Sequence, residues 1–172
     1  LDIDSSGNVG FTQTLQTEIA TTSGTTHDFT IPSGVKKFTV MFDDVSLATA
    51  SILMIRLGDS GGVETTGYEG CSSNDSGNTY SYSSYGNGFL VDTGASASAA
   101  HVIHGLFTFA NINASDYTWI GAGNSTRGTD GAGHNNVSAG RKILSGELTT
   151  VQITSKDGET FDGGRVNILL EG

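Results

Sequence analysis

The chain has 172 residues, enough for one domain with a substantial buried core. Eighteen acidic against eight basic residues give a formal net charge of −10, which repels phosphate backbones and anionic lipid and argues against nucleic acid and membrane as partners. Twenty-five glycines, one proline and no long stretch of 3.6-residue periodicity argue against long helices and predict an all-β protein, and the lone Cys71 excludes an internal disulfide.

Residues 1–14 read as a polar entry segment and residues 15–172 as a single β-sandwich domain. Ser6-Gly7-Asn8 has the composition of a hairpin turn. Asp2-x-Asp4-x-Ser6-Gly7 opens like a calcium loop, but the twelfth position is Gln13 where a bidentate Glu is needed, so a plain turn is expected. The start of the chain lacks the basic and apolar regions of a secretory signal, and no apolar run reaches membrane-spanning length.

Leu15, Thr17 and Ile19 alternate with polar neighbours, and His27 to Ile31 suits a short strand before the turn at Pro32-Ser33-Gly34. Phe38, Val40 and Phe42 alternate with Lys37, Thr39 and Met41, which predicts a strand with one buried face, ended by Asp43-Asp44. Ile52 to Leu57 is apolar on both faces. One face can pack on a second sheet, whereas Ile52 and Met54 on the other need a loop, a further layer or another subunit over them. Together with Leu106, they are expected at a subunit contact.

That strand runs into Gly58-Asp59-Ser60-Gly61-Gly62, the sequence around the nucleophile of trypsin-like proteases. A nucleophilic serine needs a base and a carboxylate to orient it. Only His27 lies upstream, without the surroundings that family gives its histidine. The expected reading is a turn in which Asp59 and Ser60 bond nearby backbone, and no enzyme.

Asn74 to Gly88 contains no aliphatic residue and suits a long exposed loop or a polar edge hairpin. Sugars present C–H faces beside hydroxyl rims. Tyr80, Tyr82 and Tyr85 therefore either cover the sandwich edge or a trimer seam with their hydroxyls wet or, with Asn87 among the polar partners, serve as platforms of a glycan-binding site. His101 to Phe109 reads as a long strand. His101 and His104, three apart, point to opposite faces of it and cannot chelate one metal ion without a bulge. Tyr117 and Trp119 lie on another strand, and Gly121 to Gly140, rich in Gly, Ser and Asn, reads as a second exposed loop system. Neither a metal nor another cofactor is expected. Leu148 to Thr154, the turn Ser155-Lys156-Asp157-Gly158 and Arg165 to Leu170 close the chain with two core strands. In all, about eight to ten short strands predict a jelly-roll-like antiparallel β-sandwich, with a closed barrel as the alternative.

Asp2-Ile3-Asp4-Ser5-Ser6-Gly7-Asn8-Val9-Gly10 resembles the IDSSGNVGIG segment that recurs in tail-fibre and other virion proteins of tailed phages, with Phe11 departing from the usual isoleucine. Ile31 to Phe42, Gly58 to Tyr68 and Thr160 to Leu169 are similar to β-domains of phage structural proteins. The resemblance implies a non-enzymatic virion component, commonly homotrimeric and in contact with other virion proteins, on a tail fibre or the capsid surface. A tail-fibre terminal domain that recognises a host-surface glycan is the first expectation. A capsid decoration or head-fibre protein is the second, and a cellular β-sandwich lectin the third.

Overall fold

The computed structural model describes residues 2–3, 9–10, 13–75, 80–93, 98–113, 115–129 and 132–172, with the backbone alone for residues 2, 3, 9, 10, 80, 81, 82 and 132. The described strands are β1 (Asp2–Ile3), β2 (Val9–Gly10), β3 (Gln13–Leu15), β4 (Ile19–Ala20), β5 (Thr26–Thr30), β6 (Lys37–Leu47), β7 (Leu53–Asp59) and β8 (Gly62–Val63). They continue with β9 (Tyr68–Asp75), β10 (Tyr80–Ser83), β11 (Phe89–Leu90), β12 (Val102–Asn113), β13 (Thr118–Thr129), β14 (Ala132–Ile143), β15 (Thr150–Ser155) and β16 (Phe161–Glu171).

Two antiparallel sheets pack face to face. The large one has the order β10-β9-β14-β13-β12-β6-β16-β3, with β4 also on β16; the small one runs β11-β7-β15-β5, with β8 on β7. Among the described residues, β1 and β2 pair with each other and with no other strand. The expected number of strands was too low because several edge strands are two or three residues long and because two long strands are poor in aliphatic residues.

The core follows from alternation. Phe38, Val40 and Phe42 of β6, Phe107 and Phe109 of β12 and Ile168 of β16 face Leu53, Ile55 and Leu57 of β7 and Val151 and Ile153 of β15. An aromatic chain threads it. Trp119, Phe38, Phe109, Phe89 and Tyr68 have successive ring centroids 5.3, 4.7, 5.0 and 5.3 Å apart. Such pairs add roughly 0.5–1.5 kcal/mol each beyond area burial. Tyr68 also ties the sheets together, its hydroxyl accepting from Leu57 N at 2.8 Å and donating to Glu64 O at 2.9 Å. Burial pushes its phenol pKa far up, so it stays neutral.

The expected loop over Gly121 to Gly140 is corrected. β13 and β14 are strands of 12 residues each, paired along their whole length in the middle of the large sheet. Period two is present, but small and polar side chains fill the inward positions that aliphatics usually take. A Cβ at Gly121 would stand 2.2 Å from the Phe109 ring, and one at Gly123 would stand 2.3 Å from Leu106 O. Those glycines are what lets the core aromatics of β12 close against β13.

Asp43-Asp44 also does not end its strand. β6 continues to Leu47 through a bulge, with Asp44 at φ 55° and the register shifted against both β12 and β16. Gly164 lies opposite it at φ 84°, where a Cβ would stand 2.3 Å from the Asp44 carbonyl carbon.

Candidate functional site

The outward face of the large sheet carries exposed apolar side chains and an open groove. Register places Met41, Leu106, Asn124, Val137 and Ser73 in one row across β6, β12, β13, β14 and β9. Thr39, Thr108, Ala122, Ala139 and Cys71 form the next. Lys37, Ala110, Ile120, Arg141 and Glu69 follow. Leu106, Val137 and Ile120 are 58%, 51% and 42% exposed, far more than a core-facing residue. An open groove of about 590 Å³ crosses the face, bounded by His104, Leu106, Ala122, Asn124, Thr126 and Asn135.

The bulge in β6 gathers charge at one end of this face. His104 Nε2 lies 3.2 Å from Asp44 Oδ1, and its Nδ1 lies 3.5 Å from Asp43 Oδ1 and accepts from Asp44 N at 3.2 Å. The three side chains offer ligand atoms within 4.8 Å of one another. Arg165 already holds Asp43, Nη2 to Oδ2 at 2.7 Å and Nε to Oδ2 at 2.8 Å. That hydrogen bond lowers the Asp43 pKa and keeps a fixed positive charge beside the carboxylates. His101 and His104 do point apart: His101 lines the interior beside Asp92 and Arg127, with its ring 6.3 Å from that of His134.

The proposed oligomer residues separate. Leu106 is exposed on the outward face, whereas Ile52 (7% exposed) and Met54 (0%) are buried in a small cluster with Leu90. Leu90 pairs with Met54 through β11, and Gly88 lies against the Met54 side chain. The chain itself therefore supplies the cover that the sequence reading assigned to another subunit, and Ile52 and Met54 present no patch.

Of the proposed sugar-binding residues, Tyr80 and Tyr82 pair by backbone with Asp75 and Ser73 in a hairpin at the edge of the large sheet. Their side chains lie outside the described residues, as does the Ser6-Gly7-Asn8 turn with most of the calcium-like segment. Tyr85 is 36% exposed, and the Lys156 ammonium covers one face of its ring, 5.1 Å from the centroid. Asn87 faces inward, its carbonyl accepting from Arg56 Nε at 2.8 Å.

Gly58 to Gly62 forms the hairpin between β7 and β8, with Asp59 paired to Gly62. Asp59 Oδ1 accepts from Gly61 N at 2.7 Å, and Oδ2 accepts from Ser145 Oγ at 2.5 Å. The Ser145 bond and then the Gly61 bond lower the Asp59 pKa. Glu64 binds Lys142 and accepts from Ser145 N at 2.8 Å, so two carboxylates pin the segment after β14 to this hairpin. His27 pairs with Ile153, which pairs with Ile55, five residues before Ser60. At about 3.3 Å per residue, that is roughly 16 Å along the strand, beyond hydrogen-bond reach.

Sequence reasoning missed a polar interior on β9 and β14. Asn74 pairs with Asn136 and Ser72 with Ser138, all four side chains buried. Among the described residues, Ser72 Oγ, Ser138 Oγ and both amide atoms of Asn136 have no hydrogen-bond partner. The cavity beside Ser138 is about 10 Å³, the size of one water and no larger ligand.

No protein-family model matches the chain, and no curated protein matches it significantly.

Proposed function

We propose that the chain is a non-enzymatic structural domain of a tailed-phage virion, carried at the end of a tail fibre, where it meets the host surface as part of a homo-oligomer. The observation that carries this reading is the outward face of the large sheet, a broad surface with exposed Leu106, Ile120 and Val137 and paired charges. Exposed apolar surface of that breadth on an acidic chain suits protein docking. The IDSSGNVG-like segment adds to it, because β1 and β2 pair with each other and with neither body sheet, as a tether leading into a domain would. In this reading the sandwich is a jelly roll.

Capsid decoration is the second reading, favoured by Lys156 over Tyr85, which takes one face of a proposed sugar platform and leaves Tyr80 and Tyr82 to carry it. Imaging of intact particles with a tag on this chain tests the reading. Density at the tail tip is expected; density on the head selects decoration, and absence from the particle overturns both. A glycan array comparing the wild type with Tyr82→Ala, matched in melting temperature, then tests host recognition, with loss of binding in the variant expected.

A further inference from the structure

Four stretches remote in sequence meet at one end of the sandwich and border a cleft of about 240 Å³. Lys36 precedes β6, Asn111 lies near the end of β12, Tyr117 and Trp119 stand at the start of β13, and Glu147 and Leu148 belong to the connection from β14 to β15. Hydrogen bonds fix these walls. Asn111 N donates to Lys36 O at 2.8 Å, Leu144 N to Tyr117 O at 3.3 Å and Asn111 Nδ2 to Thr118 O at 3.1 Å. Glu147 Oε1 accepts from Ser33 Oγ at 2.8 Å and from Gly34 N at 3.1 Å. The Ser33 bond, then the Gly34 bond and, further down, the charge of Lys36 lower the Glu147 pKa, so the carboxyl stays ionised with the ammonium in electrostatic reach.

Several polar groups of the cleft are unspent. Trp119 is 2% exposed, yet its indole N–H meets no acceptor among the described residues and is not sealed from solvent, so it opens on the cleft. Among the same residues, the Lys36 ammonium and the Tyr117 hydroxyl have no hydrogen-bond partner, and Glu147 Oε2 and Asn111 Oδ1 accept nothing. Three donors and two acceptors thus border one cleft beside an aromatic wall.

We propose that this cleft binds one neutral sugar ring, its C–H face against Tyr117 and Leu148 and its hydroxyls on Lys36, Trp119, Glu147 and Asn111. The ligand class follows by elimination. Glu147 repels an anion, Lys36 repels a cation, and an apolar ligand would leave five polar groups unpaired. A polyol both donates and accepts, and its ring covers the aromatic wall that a small zwitterion would leave in water. At about 240 Å³ the cleft is smaller than the pockets of drug-sized ligands and has room for one ring. It is also separate from the Tyr80–Ser83 hairpin: Trp119 pairs with Lys142 on β14, whereas Tyr82 reaches that strand through Ser73, opposite Val137. The site stands on its own chemistry and goes beyond the virion reading.

Trp119 is the only tryptophan of the chain, so the single indole N–H resonance of isotope-labelled protein reports this cleft alone. Titration with the methyl glycosides of glucose, galactose, mannose and N-acetylglucosamine is expected to shift it saturably with at least one of them. Half-saturation should fall in the millimolar range, because one ring buries little surface. Lys36→Met should weaken binding roughly tenfold, and Glu147→Gln by less, since the amide oxygen still accepts. Tyr117→Asn removes the ring while suiting the φ of 53° at that position, and binding is expected to vanish. Melting curves check the fold of each variant, and Lys36 and Glu147, both exposed, decide the matter should the Tyr117 variant unfold. No saturable shift with any of the four glycosides would overturn the proposal. So would tighter binding of glycine, acetate or tetramethylammonium than of every glycoside, tighter binding by Glu147→Gln, or unchanged binding in the folded variants. Particle imaging is independent of these outcomes. A chain at the tail tip whose indole ignores sugars sinks only this inference, and a sugar-binding chain missing from the virion sinks only the functional reading.

Discussion

Arg127 and Asp92 meet inside the sandwich, guanidinium Nη1 to carboxylate Oδ2 at 3.0 Å, with 2% and 0% of their side chains exposed. β13 brings the arginine inward in the register that the core aromatics of β12 use, and the crossing segment after β11 brings the aspartate, so the pair joins strand to crossover.

Removing one member of such a pair deprives the other, which is buried, of an opposite charge. Asp92→Ala is expected to lower unfolding free energy by about 3–5 kcal/mol, whereas Asp92→Leu combined with Arg127→Met should recover most of the loss. Urea unfolding of the three proteins measures both. A single variant within about 1 kcal/mol of wild type would mean that the interior there is wet.

Gly121 and Gly123 should tolerate no side chain, although their neighbourhood has the composition of a loop. Gly121→Ala is expected to cost about 1–3 kcal/mol through overpacking against Phe109. Gly133→Ala, whose Cβ would meet its nearest neighbour at 4.0 Å, should stay near neutral. Equal denaturation midpoints for these two variants would contradict the close approach of β12 and β13.

What the sequence made legible follows apolar alternation. The Phe38–Val40–Phe42 face, the buried Ile52–Leu57 run and the closing strands were visible because large side chains mark the inward positions, and the turn over Ser155-Lys156-Asp157-Gly158 by its composition, although Ser155 still belongs to β15. β13 and β14 were not, because Gly121, Gly123, Ser125 and Arg127 bury a strand face without one aliphatic residue. Their inward pattern makes sense only beside Phe107, Phe109 and Asp92, which are remote in sequence. Ile52 and Met54 misled for the opposite reason: two-sided hydrophobicity states that a cover exists, not whose chain supplies it. On the outward face Lys37, Thr39, Met41 and Leu106 were legible, whereas Ala122, Asn124, Val137 and Ala139 lay in the segment taken for a loop.

Two histidines should make stability depend on pH well above the carboxylate range. Burial lowers the His27 pKa, and burial followed by the charges of Arg127 and His134 lowers that of His101. The unfolded chain then takes up protons first, so stability is complete above about pH 6.5 and falls as the pH drops towards the lowered values. Asp43, Asp59 and Asp157 are shifted down by hydrogen bonds to Arg165, Ser145 and Ser51, so their contribution persists until the pH falls below about 4. Melting temperature should therefore decline in two stages on acidification, and His27→Gln with His101→Gln should remove the first. An unchanged first stage in that variant would count against both histidines.

The Gly58 to Gly62 hairpin should behave as a clasp and not as a nucleophile loop. Ser60→Ala is expected to leave the melting temperature unchanged, because that side chain is exposed, and Asp59→Ala to lower it by releasing Ser145 and Gly61. Labelling of Ser60 by a fluorophosphonate would reverse the interpretation.

β16 enters the large sheet between β6 and β3, both made long before it; the Arg165 to Asp43 bond closes a separation of 122 residues. During synthesis, β6 can find β12 once that strand has left the ribosome, but its other edge stays open until nearly all of the described strands have followed. Long-range closure of this kind slows folding and leaves an unpaired edge for neighbouring nascent chains to meet. On a polysome, where many copies of one chain grow side by side, the interval before β16 emerges is when misassociation between copies competes with folding.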